Sequence, residues 1–125
     1  MSGTCIALVV DDDESIVRML RVRLEAEGYE AVLALDGVAA VELAVERHPD
    51  VILLDIAMPS VTGVDVLDRL EASDATRGIP VLVITAYTQM IDSVKGYDAV
   101  KECFVKPFDM PSLMSRIREV TSRCA

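Results

Sequence analysis

Cys5-Ile6-Ala7-Leu8-Val9-Val10 runs directly into Asp11-Asp12-Asp13. Six consecutive apolar residues without alternation suit a strand buried on both faces, as in a parallel sheet. The three aspartates end that strand and open a polar turn. Beyond it Ile16, Leu20 and Leu24 recur every four residues with Val17 beside them, while Arg18, Arg21 and Glu25 take the other side. This spacing predicts an amphipathic helix, stopped by Gly28 in a left-handed turn.

The same unit can be followed along the chain. Residues 29–35 read as a second strand and Asp36-Gly37 as a turn. Val38, Val41 and Val45 mark a second helix closed by His48-Pro49, with His48 placed to cap the helix end. Val51-Ile52-Leu53-Leu54 is a third strand that leads straight into Asp55, followed by a loop with Pro59 and Gly63. Val64, Leu67 and Leu70 mark a third helix. Pro80 introduces a fourth strand at 81–84, ending at Thr85. Residues 88–101 read as partly helical, because the short stripe Met90, Ile91 and Val94 is interrupted by Gly96. Cys103-Phe104-Val105 is a short fifth strand before Lys106-Pro107. Asp109 caps a last helix, with Pro111 in its first turn and Leu113, Ile117 and Val120 on its buried face. Met19, Met58, Met90 and Met114 read as packing or surface residues.

Five strands alternating with five helices through short connections imply an α/β fold, a doubly wound parallel sheet with right-handed crossovers. The alternation admits the strand order 2-1-3-4-5 without selecting it.

Composition narrows the function. At 125 residues the chain has the length of one domain, and 52% hydrophobic residues supply a core without Trp. A net charge of −9 argues against direct nucleic-acid binding, which needs an excess of Lys and Arg. No stretch approaches the roughly 20 apolar residues of a membrane span. The opening apolar run is too short for a signal peptide core and has no basic residue before it. Cys5, Cys103 and Cys124 are odd in number and far apart, without a CxxC pair or a His at metal spacing. They read as three reduced cysteines in a cytoplasmic protein.

In open α/β sheets, ligands sit outside the carboxyl ends of the strands. Asp11 and Asp12, Asp55, Thr85 and Lys106 all fall at such ends. Singly, each has a plain structural reading: the acids as helix-start residues, Thr85 as a turn residue, Lys106 as surface. Together they form one acidic crevice. Two carboxylates about 4 Å apart repel by roughly 4 kcal/mol at an effective dielectric near 20. Three need a proton, a lysine or a metal. Oxygen donors without Cys or His favour Mg²⁺, with Mn²⁺ as a substitute. Mg²⁺ keeps positions for phosphate oxygens, which is what phosphoryl transfer requires.

Over residues 4–122 the chain resembles the receiver domain of bacterial two-component response regulators. The residues that carry the likeness are Leu8-Val9-Val10-Asp11-Asp12, Asp55-Ile56-Ala57-Met58-Pro59 with Gly63, Val83-Ile84-Thr85-Ala86 and Val105-Lys106-Pro107-Phe108. The resemblance implies the flavodoxin-like (βα)5 receiver fold and a role for each site residue. Asp55 matches the aspartate that is phosphorylated. Asp11 and Asp12 match the acidic pair that holds Mg²⁺ with Asp55, Asp12 directly and Asp11 largely through water. The backbone carbonyl of Ala57 matches the remaining protein ligand. Thr85 matches the hydroxyl that bonds a phosphoryl oxygen and moves on activation, and Lys106 the lysine that pairs with one. The implied donor is a phosphohistidine on a sensor histidine kinase or a phosphotransfer protein. The downstream target is unspecified, and a homodimer is compatible with the family. The domain is not an enzyme in the ordinary sense, although it would catalyse its own phosphorylation. No effector domain is expected within the 125 residues.

The sequence departs from the family pattern in two places. Cys103 occupies the position of the usual aromatic residue three before the lysine, and Phe104 beside it must point to the opposite face. The region before the fifth strand reads Tyr97-Asp98-Ala99-Val100-Lys101-Glu102, and the spacing from Thr85 to Lys106 is about one residue short. The fourth helix is expected to be short or irregular and the output surface atypical. The positions two past Asp55 and two past Thr85 are Ala57 and Tyr87, which the resemblance links to slow self-dephosphorylation. A second reading is a degenerate receiver that binds partners independently of phosphorylation. A conventional enzyme is disfavoured, because no Gly-rich phosphate loop or GxxxxGK[ST] motif occurs.

Overall fold

The computed structural model describes residues 4–58 and 62–122. Pro59 and Cys124 lie outside the described residues. The strands are β1 (Ile6–Val10), β2 (Glu30–Ala34), β3 (Val51–Leu54), β4 (Val81–Thr85) and β5 (Val100–Val105). The helices are α1 (Glu14–Ala26), α2 (Gly37–Arg47), α3 (Gly63–Glu71) and α4 (Met110–Val120), and a 3-10 segment spans Thr88–Ser93. The strands form one parallel sheet in the order β2-β1-β3-β4-β5. This is the expected flavodoxin-like doubly wound fold, with helices on both faces.

Alternation along each strand splits the core into two layers. Leu8, Val10, Ile52, Leu54, Val81 and Val83 face α2, α3 and the 3-10 segment. Ala7, Val9, Val51, Leu53, Leu82 and Ile84 face α1 and α4. All four α-helices begin on a side-chain cap: Asp13, Asp36, Thr62 and Asp109 each accept a backbone N–H from the first turn. His48 ends α2 in the left-handed region (φ 48°) and caps it through its own N–H to the Ala44 carbonyl. Among the described residues no helix is long and apolar enough to cross a membrane.

Four details differ from the sequence reading. On α2 the buried residues are Ala40 and Ala44, while Val38 and Val45 stand exposed; the helix seats its small side chains against the sheet. The fourth helix is reduced to the 3-10 segment, and Val94 after it is its fully buried anchor. Strand β5 begins at Val100, three residues earlier than expected, because a register shift between Val81 and Leu82 lets Lys101 bulge out of the edge strand. Cys5 is disulfide-bonded, and Cys103 is a free thiol. The expectation of three reduced cysteines is corrected accordingly; sequence spacing does not register which thiols folding brings together.

Candidate metal centre at the strand ends

Parallel register sets the site. Val10 lies opposite Leu54, so Asp11 and Asp55 leave neighbouring strands side by side, and the Asp55 N–H donates to the Val10 carbonyl at 2.9 Å. Thr85 lies opposite Val105, and the Lys106 N–H donates to the Thr85 carbonyl at 2.8 Å. The ends of four strands thereby reach one level of the sheet.

The side chains converge there. Carboxylate oxygens of Asp11, Asp12 and Asp55 lie within 4.8 Å of one another. Asp11 and Asp55 are only 3% and 6% exposed, whereas Asp12 reaches solvent. Lys106 Nζ bridges the buried pair, at 2.7 Å from Asp11 Oδ2 and 3.0 Å from Asp55 Oδ2. The other oxygens are held by the backbone: Asp55 Oδ1 accepts the Ala57 N–H at 2.9 Å, and Asp11 Oδ1 accepts the Asp13 N–H at 3.0 Å. The buried carboxylates are therefore fixed in orientation from both sides, the preorganisation that a reacting group needs.

Burial raises the Asp11 pKa, and the nearby Asp55 charge adds to the rise; the hydrogen bonds from Lys106 and the Asp13 N–H oppose it without cancelling it. For Lys106, burial works against the ammonium, but the hydrogen bonds and charges of Asp11 and Asp55 outweigh it and hold its pKa above the ordinary lysine value. One ammonium thus faces three carboxylates. The donor set is all oxygen, which suits a hard divalent cation such as Mg²⁺.

Thr85 is fully buried, and its Oγ1 accepts the Tyr87 N–H at 3.0 Å. The Tyr87 ring is half exposed. Cys103 lies opposite Val83 and packs with the α2–α3 layer, whereas Phe104 packs with the α1–α4 layer. Neighbouring strand residues do face opposite ways here, as the alternation rule demands. All of the singled-out residues, Asp11, Asp12, Asp55, Ala57, Thr85 and Lys106, belong to the strand-end cluster or bond to its members. Sequence reasoning missed the two backbone donors that orient the carboxylates. It also missed the bond from the Tyr97 hydroxyl to Asp68, which ties the segment after β4 to α3. Only three-dimensional proximity reveals the latter, since the partners lie 29 residues apart.

Comparison with known proteins points the same way. Residues 7–118 match the family model of the response regulator receiver domain. The DNA-binding dual master transcriptional regulator RpaA of Synechocystis is 38% identical over 117 residues, covering 93% of this chain and 48% of that protein. The chain spans about half the length, or less, of the curated relatives it matches. Among solved structures, the Vibrio cholerae chemotaxis protein CheY4 superposes with a TM-score of 0.86 at 30% identity, over 94% of this chain and 99% of that one. Response regulator TrrA of Thermotoga maritima, solved in complex with Mg²⁺-BeF, gives a TM-score of 0.83 at 27% identity, over 94% and 99%.

Proposed function

The chain belongs to the response regulator receiver family, and from that membership we propose that it accepts a phosphoryl group on Asp55 and uses the modification to switch partner binding. The observation that carries this reading is the bridge from Lys106 to both buried aspartates at the end of a sheet that also presents Thr85. The family is a signalling module of two-component systems, and the phosphoryl donor proposed is a phosphohistidine on a sensor kinase or phosphotransfer protein. A carboxylate oxygen of Asp55 attacks phosphorus, the N–P bond breaks, and the imidazole leaves with the electron pair. Asp55 is suited to attack because the Ala57 N–H and Lys106 hold its two oxygens in fixed directions. Lys106 neutralises charge on a phosphoryl oxygen, and the Thr85 hydroxyl donates to another.

Asp11, Asp12, Asp55 and the Ala57 carbonyl would hold Mg²⁺, which supplies charge neutralisation and alignment of the phosphate oxygens. The three clustered carboxylates support this, as does the Mg²⁺ complex of the related TrrA. Residues 4–122 act as one receiver unit in this reading.

The test is incorporation of label from acetyl phosphate. Wild type takes up about one phosphoryl group in Mg²⁺, none after chelation, and Asp55→Asn takes up none. Labelling of Asp55→Asn at the wild-type level would exclude Asp55 as the acceptor. A wild type that never labels, yet still binds its partner, would favour the degenerate receiver, for which Cys103 and the reduced fourth helix speak. Loss of label is expected to be slow, because Ala57 brings no polar side chain to orient water and Tyr87 stands beside Thr85. Decay within seconds that Ala57→Asp then slows would contradict that expectation.

A further inference from the structure

Two segments leave the acidic cluster toward the same side of the sheet. One runs from Asp55 through Ile56 into α3, where the Gly63 N–H bonds the Ile56 carbonyl at 3.1 Å. The other runs from Thr85 through Tyr87 into the 3-10 segment and on to Tyr97. Their far ends meet where the Tyr97 hydroxyl donates to Asp68 on α3. The β3–β4 ladder joins the two segments beside Asp55 and Thr85, and this bond joins them again at the other end.

The 3-10 segment has no side-chain cap, and Val94 is the fully buried side chain that anchors it. Apart from the Val81 N–H donating to the Ala99 carbonyl, the backbone bonds of this stretch are local: Met90 N–H to Tyr87, Val94 to Ile91, Tyr97 to Val94 and Val100 to Tyr97. Gly96 has no neighbour within 4 Å of where a Cβ would stand. A cavity of about 120 Å³ remains between Leu67, Leu70, Tyr97 and Ala99, so the ring of Tyr97 does not fill the joint. Across this joint the Tyr97 hydroxyl adds a directional bond to the apolar contacts that Met90, Val94, Tyr97 and Ala99 make with the core.

We propose that the Tyr97–Asp68 hydrogen bond is a latch: it holds the segment after β4 against α3 and transmits displacement at Thr85 to that helix. The transmission, though not the holding, rests on the phosphoacceptor reading above. The hydrogen bond to Asp68 first, then burial and the charges of Asp68, Glu71 and Asp65, push the Tyr97 phenol up to about 12, so the donor proton stays in place at neutral pH.

Amide hydrogen exchange tests the holding in the resting protein. Tyr97→Phe keeps the ring and loses only the hydroxyl. Exchange at Val94, Tyr97 and Val100 should speed up by about threefold to tenfold, the span expected for one net hydrogen bond. Asp68→Ala should match it, the double variant should add nothing, and Asp68→Asn, which retains an acceptor oxygen, should stay near wild type. Unchanged exchange in Tyr97→Phe, or additive effects in the double variant, would overturn the latch. Acetyl phosphate with Mg²⁺ then tests transmission. Loaded wild type should change exchange in both α3 and residues 88–99, and loaded Tyr97→Phe only in residues 88–99. The same change in both segments with and without the hydroxyl refutes transmission. If Asp55 never loads, the phosphoacceptor reading fails and the resting exchange decides the latch alone.

Discussion

The four strand ends hold the acidic cluster through bonds between residues as distant as Asp11 and Lys106, whereas residues 87–100 bond chiefly to neighbours three positions away. The first region is buried and oriented from two sides; the second is a 3-10 turn with one fully buried anchor. In the first, a side chain's position is a consequence of sheet register, which cannot slip without moving every strand residue to the wrong face. In the second, position depends on a few separable contacts, the mark of a segment that opens at low cost. A receiver needs both: a rigid place for chemistry and a responsive place beside it.

Four substitutions can break or sharpen this contrast. The largest effect is expected at Gly63, where an added Cβ would lie 2.3 Å from Ile56 Cα and so meet backbone that cannot step aside. Gly63→Ala should cost about 3 kcal/mol in a urea melt; a loss near zero would mean that the start of α3 is not packed as described. Lys106→Met should come next, destabilising by about 2 kcal/mol at pH 7 without Mg²⁺, because it strands two buried carboxylates. The Lys106 pKa is raised in the folded state, so its contribution is present below 10.5 and is lost as pH rises through the raised value. The gap between wild type and Lys106→Met should therefore close only in strong alkali.

Asp11→Asn should act in the opposite sense. A carboxyl whose folded pKa is raised is penalised once ionised, so the penalty is present at neutral pH and disappears as pH falls through that raised value toward 3.8. The variant should gain about 1 kcal/mol at pH 7, and the gain should shrink in acid; a gain that grew in acid would reverse the assigned cause. The smallest effect belongs to the other region. Gly96→Ala meets open space and should stabilise by about 0.5 kcal/mol by restricting the unfolded chain, with labelling of Asp55 unaltered. A loss as large as that of Gly63→Ala would erase the distinction between the two regions.

How far the sequence could be read follows the same division. β1, β3 and β4 are buried on both faces, so their unbroken apolar runs were visible, and so were the polar residues that end them. β5 is an edge strand whose first half is Lys101 and Glu102 on the outside, and a strand of that kind carries no apolar pattern to read. The α2 stripe was misassigned because Val38 and Val45 look more hydrophobic than Ala40 and Ala44, while close approach to the sheet rewards small size instead. Residue types and strand-end positions were enough to nominate Asp11, Asp12, Asp55, Thr85 and Lys106. Strand order and the Tyr97–Asp68 bond depend on proximity between distant segments, for which one sequence carries no periodicity, while the Asp13 and Ala57 N–H donors lie two residues from their aspartates and depend on the local turn.

The central place of β1 bears on how the protein is made. Its two ladder partners are β2 and β3, and β3 ends at Leu54, so this strand keeps at least one edge open on the ribosome until the chain has grown 44 residues past Val10. An unpaired run of Ile6–Val10 is the kind of nascent segment that sticks to other chains. Three aspartates directly after it act as charged gatekeepers, so the acids that later gather at the strand ends also keep the newborn chain soluble while it waits for its neighbours.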